Sequence, residues 1–394
     1  MARQHLGFSA LLLAIVAGCS SSSGTGVVPV TGIDTTPSSG GATTSASSGG
    51  AGAGQGGVSS AGAGGTLSAG AAGTGGSAGA PNMCAPACDS GKACVMGTCM
   101  TAPTTLTTIT GCTTVRLAVQ GDTLYFSDGA HGSVRKIPTA GGNASDIVTG
   151  QMQPYSLVVD ATNVYFGNDG DFTLKLVPIA GNTAKTITTG TSAGTKGLAL
   201  AGNVLFYADG HNLNSVTAAE NSTPTVLGQG DTGGKGLPSE IALDATNVYY
   251  TDANAFGVQR HPQVGTGSSV AMVGSQGDLL MSAIAVQAGN IYFANGGNLD
   301  SEVVTAAQAS GGSYATITSS VQGFNFTGFA MNSTDVYAGE DGFVETAAVG
   351  VGSTASIVAV NQPMPQSFVL DASNVYWVNL DPSMNCSIQK LPLK

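Results

Sequence analysis

Three observations predict an all-β fold. A twelve-residue strand–turn–strand unit recurs seven times, its copies begin 39–45 residues apart, and a third short strand follows each copy and a fourth follows six of them. Four strands per period of about 40 residues is the pattern of a propeller blade. The expectation is a seven-bladed β-propeller of four-stranded blades, with six blades the less favoured count. The copies start at Leu117, Leu157, Leu198, Ile241, Ile284, Phe329 and Phe368. In LVVDATNVYFGN or IALDATNVYYTD an apolar run leads into a polar Asp-Ala-Thr-Asn turn and a second apolar run. Short Asx-rich turns between β-branched runs are hairpin chemistry. The ninth position is always aromatic: Tyr125, Tyr165, Phe206, Tyr249, Tyr292, Tyr337 and Tyr376.

Composition excludes several alternatives. The 394 residues contain 12 Lys and Arg against 23 Asp and Glu, so only 9% are charged, and 59 are glycine. A Glu/Lys-rich helical protein or a coiled coil needs about a quarter of its residues charged. The net charge of −11, with no basic cluster, argues against a nucleic-acid partner.

The chain opens with a targeting segment over residues 1–18. A short polar start with Arg3 and His5 precedes an apolar run from Leu6 to Ala17. That run is too short for a spanning helix of about 20 residues, so it reads as a signal peptide. Its end, Val16-Ala17-Gly18-Cys19, resembles a bacterial lipobox, in which cleavage precedes a diacylated cysteine. The resemblance makes Cys19 the lipidation site and implies export and anchoring to the cell envelope. Ser20 rather than Asp after the cysteine favours the outer membrane. Residues 19–81 form the lipidated cysteine and a low-complexity Gly/Ser/Ala/Thr tether with one charged residue, Asp34, and no aromatic. Nothing in such a stretch offsets the entropy of ordering it. As a random coil it spans on the order of 40–47 Å.

Residues 82–101 carry Cys84, Cys88, Cys94 and Cys99. In an exported chain, four cysteines so close together read as two disulfides stabilising a knot too small to own a core. Three pairings are open. Zinc is the rival reading, weakened by the absence of a CxxC pair and of a nearby histidine.

The propeller is expected over residues 104–394. Its seventh copy stops after a third strand, and Leu106–Thr110 resembles the fourth strand Lys185–Thr189. The N-terminal strand is therefore expected to complete the last blade and close the ring. Cys112 and Cys386 then fall in the same blade, where a disulfide would lock the seam. The alternative is two separately buried thiols, since the pair could sit on opposite sides of the blade.

Tyr-aromatic-x-Asp after an apolar strand, as in SLVVDATNVYFGNDGDFTLKLVPIAG, resembles the YWTD, NHL and streptogramin-lyase group of propellers. That group contains receptors, scaffolds and enzymes, so fold alone does not select a function. Its lyases and lactonases use a histidine base or a carboxylate-bound metal in the central mouth. The resemblance would give such a role to His131 and His211, in equivalent loops of blades one and three, with calcium or magnesium as the conceivable metal. A solvated loop histidine is the plainer reading. The twelfth position is always acidic or amide (Asp128, Asn168, Asp209, Asp252, Asn295, Glu340, Asn379), which suggests either a cation ring or turn caps. Repetition in every blade favours caps. Asp169-Gly170-Asp171 adds carboxylates but lacks the spacing of a calcium loop, so no metal ligand is assigned and no cofactor is expected.

The loops entering each blade carry Tyr155, Met281, Phe324 and Phe326, which could form an apolar recognition patch or cap the core. Arg116, Lys196, Glu240 and Gln366 stand near the starts of innermost strands, where they would line the mouth. No nucleophile elbow, zinc-protease motif or phosphate loop occurs. The sequence thus points to a monomeric, lipid-anchored binding or scaffold propeller for a protein, peptide or glycan, and more weakly to a metal-dependent lyase or lactonase. If Cys19 carries the lipid, a Cys19→Ser chain should move from the detergent to the aqueous phase in phase partitioning. A variant that stays in the detergent phase would reject the anchor.

Overall fold

The computed structural model of the chain describes residues 84–394 apart from 85, 96, 190–193, 230–237, 253–256, 266–267, 274–279, 297–300, 308–314 and 320–325. The signal segment, Cys19, the tether and Phe324 lie outside the described residues. The described strands pair into seven four-stranded antiparallel sheets and one two-stranded ribbon. Each four-stranded sheet is a blade, and neighbouring innermost strands touch around a closed circle, the seventh meeting the first. Blade two shows the plan, with strands Pro154–Val159, Asn163–Asn168, Thr173–Pro178 and Lys185–Thr189 running from the axis outward.

The ring is held by its second strands, which are buried on both faces. Position 9 of each repeat faces one neighbouring blade and position 10 the other, because strand side chains alternate. Tyr125 shares a core cluster with Phe166, Tyr165 with Tyr207, Phe206 with Tyr250, and Tyr249 with Phe293. Around the remaining arc, Tyr292 meets Ala338, Tyr337 meets Trp377, and Tyr376 meets Phe126. Each aromatic buried this way is worth about 1.5–3 kcal/mol. Blade six has Ala338 where most blades have an aromatic, and Phe326 fills the space beside Tyr292. Phe326 is therefore buried core and not part of an exposed recognition patch.

Every outermost strand carries a bulge. The ladder to the third strand skips Ile147, Ile187, Leu227, Met272, Ile317 and Val358 in blades one to six, and Leu106 in blade seven. A bulge adds a residue and twists a rim strand, which blunts an edge that would otherwise pair with another chain. The skipped residue is apolar in all seven blades, and Ile187, Met272 and Ile317 are buried in the core.

The seam closes through Thr104–Ile109, which pairs with Cys386–Pro392 as the fourth strand of blade seven. It begins two residues earlier than Leu106–Thr110, because Thr104 and Thr105 also join the ladder, opposite Lys390 and Gln389. Cys112 and Cys386 are joined by a disulfide in the core of this blade. Strands alternate in direction, so the closing strand runs toward the face where innermost strands begin. Thr104 accordingly lies toward the opposite face. Before it stands the ribbon Lys92–Val95 and Thr98–Thr101, with disulfides Cys84–Cys94 and Cys88–Cys99. These bonds occupy the sulfurs that zinc would need. Met100 of the ribbon packs on the cluster containing Tyr337 and Trp377.

Three of the hairpin turns are clamped by one device. Asp160 Oδ1 accepts from the backbone N–H groups of Thr162 and Asn163 at 2.7 Å, and Oδ2 accepts from the Tyr165 hydroxyl at 2.8 Å. Asp244 repeats this with Thr246, Asn247 and Tyr249, and Asp371 with Ser373, Asn374 and Tyr376. The interblade tyrosine thus also fixes the turn of its own blade. Partial burial pushes these carboxyls up, but the hydrogen bonds outweigh it and hold them low, Asp244 at about 2. The same bond, added to burial, pushes the Tyr249 hydroxyl up to about 12.

A folded value below the unfolded one contributes stability that is complete above the ordinary carboxyl value of 3.8 and is lost as the pH falls toward about 2. The triple variant Asp160→Asn, Asp244→Asn, Asp371→Asn should therefore melt well below wild type at pH 6. The gap in Tm should narrow steadily from about pH 4 to pH 2. A gap that does not change with pH would mean that the carboxylate charge contributes nothing.

Candidate functional site

The residue just before each repeat stands at or near the start of the innermost strand and faces the axis. Around the ring these are Arg116, Ser156, Gly197, Glu240, Ala283, Gly328 and Ser367, and all seven line one central cavity of about 190 Å³. Five are Gly, Ala or Ser, and two are long and charged. This breaks the sevenfold pattern at the place where a propeller has its mouth.

The two charged residues come from blades one and four and meet across the axis. Arg116 Nη2 donates to Glu240 Oε1 at 2.9 Å and to the Tyr155 hydroxyl at 2.7 Å. Their side chains are 29% and 24% exposed, so the pair is sheltered yet reachable. Burial works against the guanidinium charge, but Glu240 and Tyr155 outweigh it and raise Arg116 above its ordinary value. Lys196 Nζ bonds Asp169 Oδ2 at 2.5 Å and lies 4.7 Å from the centre of the Tyr155 ring. The Arg116 guanidinium carbon lies 4.9 Å from the same centre. One aromatic ring therefore serves two cations, each also held by its own carboxylate.

Local backbone devices aim these groups. The innermost strands of blades two, four, five and seven carry bulges just inside the mouth, at Pro154/Leu157, Pro238/Ile241, Met281/Ile284 and Gln366/Val369. Such bulges re-aim side chains, here around Tyr155 and Glu240. The Arg116 N–H donates to Ser127 Oγ, and the Glu240 N–H donates to Thr251 Oγ1, both at 3.0 Å. The same second-strand hydroxyl thus pins the backbone of each partner in the cross-channel pair. Gly197 lets blade three approach blade four, because a Cβ there would collide with the Ser239 backbone oxygen.

Of the residues expected at the mouth, Arg116, Lys196, Glu240 and Tyr155 come together. Gln366 starts the innermost strand of blade seven, but among the described residues the cavity is lined by its neighbour Ser367, whose φ is 54° and whose Oγ accepts from the Leu117 N–H. Tyr155 enters the site through its ring and hydroxyl rather than as part of an apolar patch. Met281 lies at the start of the innermost strand Leu280–Gln287 of blade five. His131 and His211 lie on loops of the mouth face, and neither lines the cavity. His131 Nδ1 is 2.8 Å from Asp128 Oδ1, with the imidazole 52% exposed. His211 is exposed, and its backbone N–H donates to Asp209.

The acidic and amide residues at position 12 are buried turn caps in blades one and three, where Asp128 and Asp209 accept from loop N–H groups. Asp169 and Asp171 each meet a lysine, Lys196 and Lys175, and Asp171 also accepts from Thr173. Sequence reasoning assigned no role to Ser127, Thr251 or Ser367. Aligning the position before each repeat exposes Ser367, whereas the two hydroxyls carry no signal beyond their place in the second strand.

No protein-family model matches the chain, and no curated protein matches it. Among solved structures it is similar to virginiamycin B lyase from Staphylococcus aureus, in a catalytically inactive form with quinupristin. The identity is 11%, over 73% of this chain and 98% of that one, and the TM-score is 0.59. It is also similar to the computationally designed Ika8 protein, with 14% identity over 73% and 99% of the two chains and a TM-score of 0.51. A third similarity is to the AfRom2 CNH domain, with 10% identity over 74% and 99% and a TM-score of 0.52. At these identities the likeness establishes the fold alone, a β-propeller.

Removing one end of the cross-channel pair strands the other. Glu240→Ala should cost about 1–2 kcal/mol, less than the ~3–5 kcal/mol of a fully buried pair because both ends are partly solvated. Arg116→Met with Glu240→Met should recover most of that loss. Urea midpoints of the wild type and the two variants check this, and equal losses in the single and double variants would deny the coupling.

Proposed function

We propose that the protein is an exported, lipid-anchored binding propeller that presents the mouth built by Arg116, Tyr155, Lys196 and Glu240 to a partner at the cell envelope. The observation that carries this reading is the broken symmetry of the ring. Charge, an aromatic ring and spare guanidinium donors gather at one mouth whose other positions are small. A cavity of about 190 Å³ is smaller than the ~300–1,000 Å³ of sites that engulf a small molecule. It suits recognition of a protruding group, such as a side chain or glycan end of a larger partner. Localisation in the outer membrane follows from the lipobox reading alone.

One observation favours a second reading, a lyase-type enzyme. His131 has a buried carboxylate at hydrogen-bond distance, the arrangement that orients a general base. The similar lyase structure adds fold likeness only.

The two readings part under mutation. Cell-envelope components retained by the exported protein should fall about tenfold with Arg116→Ala and Lys196→Ala combined, and stay unchanged with His131→Ala. Retention that ignores the mouth variants would overturn the binding site. Turnover of a cyclic ester or lactone that disappears with His131→Ala would establish the enzyme instead.

A further inference from the structure

A second cleft lies away from the mouth, where the outer part of blade seven meets the end of blade six. It encloses about 390 Å³ and is lined by Gln362, Asn379, Asn385, Gln389, Asp381 and Thr108, with Pro103 and Pro363 at its margin. The chemistry of this wall is narrow. Five primary amides, Asn361 included, line one space, no cation is among the lining residues, and the single carboxylate is already engaged. Asp381 Oδ1 accepts from the backbone N–H groups of Ser383 and Asn385, and Oδ2 accepts from Asn385 Nδ2.

The amides are held rigidly. Asn379 Nδ2 donates to Gln362 Oε1 at 2.8 Å, and Gln362 Nε2 donates to the Val360 carbonyl at 2.8 Å. The Trp377 indole N–H is shared between Asn379 Oδ1 at 2.9 Å and Gln362 Oε1 at 3.2 Å. Gln389 Nε2 donates to Ser387 Oγ at 2.8 Å, while its Oε1 accepts from Thr105. Gln362, Asn379 and Gln389 are only 7%, 5% and 6% exposed. Each amide nitrogen has two N–H donors and spends one on the bonds just described. The second N–H of each is available to a ligand hydroxyl and is already fixed in place. Asn361, beside Gln362 on the same wall, is skipped by a bulge in the ladder and held at φ 58°, a left-handed conformation that asparagine tolerates.

We propose that this cleft is a binding site for a neutral saccharide, separate from the mouth. Planar amides fixed by their own network match the hydroxyl groups of a sugar, which both donate and accept. A phosphate or carboxylate would find no counter-charge, and an apolar ligand would leave the amides unpaired. The proline edges offer small apolar faces for sugar C–H groups. The volume lies within the ~300–1,000 Å³ usual for small-ligand sites.

The chain carries its own reporter, since Trp377 is its single tryptophan and its indole N–H belongs to the amide network. Full-length protein is titrated with maltotriose, cellotriose and chitotriose, and with a galacturonic acid trimer as the charged comparison. Trp377 emission and equilibrium dialysis are followed together. At least one neutral trisaccharide should saturate both signals, with the acidic trimer about tenfold weaker. Thr108→Phe, an exposed strand position whose ring would fill the cleft, should weaken binding about tenfold or more. Arg116→Ala at the mouth should leave it unchanged. The proposal fails if no neutral trisaccharide saturates either signal, if the acidic trimer binds equally well, or if Thr108→Phe binds as wild type does. Loss with Arg116→Ala but not with Thr108→Phe would place the sugar at the mouth and overturn the second site.

Discussion

The interlock between position 9 of one blade and position 10 of the next is the contact on which this molecule depends. Each second strand is buried on both faces, so each blade is half of two cores and complete in neither. A blade taken alone would expose two rows of large side chains to water. Only a closed circle removes every such row, and the last gap is closed by Thr104–Ile109 and the Cys112–Cys386 bond. Closing a loop of this length costs chain entropy, and the disulfide removes part of that cost from the unfolded state.

Once the circle exists, the axis acquires properties that no single blade has. Seven equivalent positions face one another, and small residues at five of them leave room for the two that are long. The Arg116–Glu240 bond spans that room, with Tyr155 and Lys196 beside it. The hydroxyls of Ser127 and Thr251 hold the two backbones from behind, so the pair rests on fixed strands rather than on mobile loops. The periphery differs. There the repeated bulge twists each edge, and in blade seven, where the strand comes from the other end of the chain, the rim opens into a cleft lined by amides.

Much of the architecture was legible because the repeat writes it locally. An Asp-Ala-Thr-Asn turn between two apolar runs specifies a hairpin wherever it stands, and the constant aromatic at the ninth place marks a strand with two buried faces. The closing strand could be read from its likeness to Lys185–Thr189. The bulges could not, because a skipped apolar residue in TIT or DIV looks like ordinary strand. Phe326 could be read as a recognition patch or as a core cap, and the alanine at position 338, which leaves a gap beside Tyr292, decides for the core.

By itself, the sequence determined the repeating unit, the way the ring closes and the place of Arg116, Lys196 and Glu240 near the starts of innermost strands, since each follows from local pattern repeated at a near-constant period. Only the tertiary structure decided which mouth residues meet, why Ser367 rather than Gln366 lines the cavity, and how Gln362, Asn379, Asn385 and Gln389 come to share one space. Those outcomes depend on register and bulges across strands far apart in the chain. The partner of Arg116 lies 124 residues away, and only the closed ring brings it within hydrogen-bond distance.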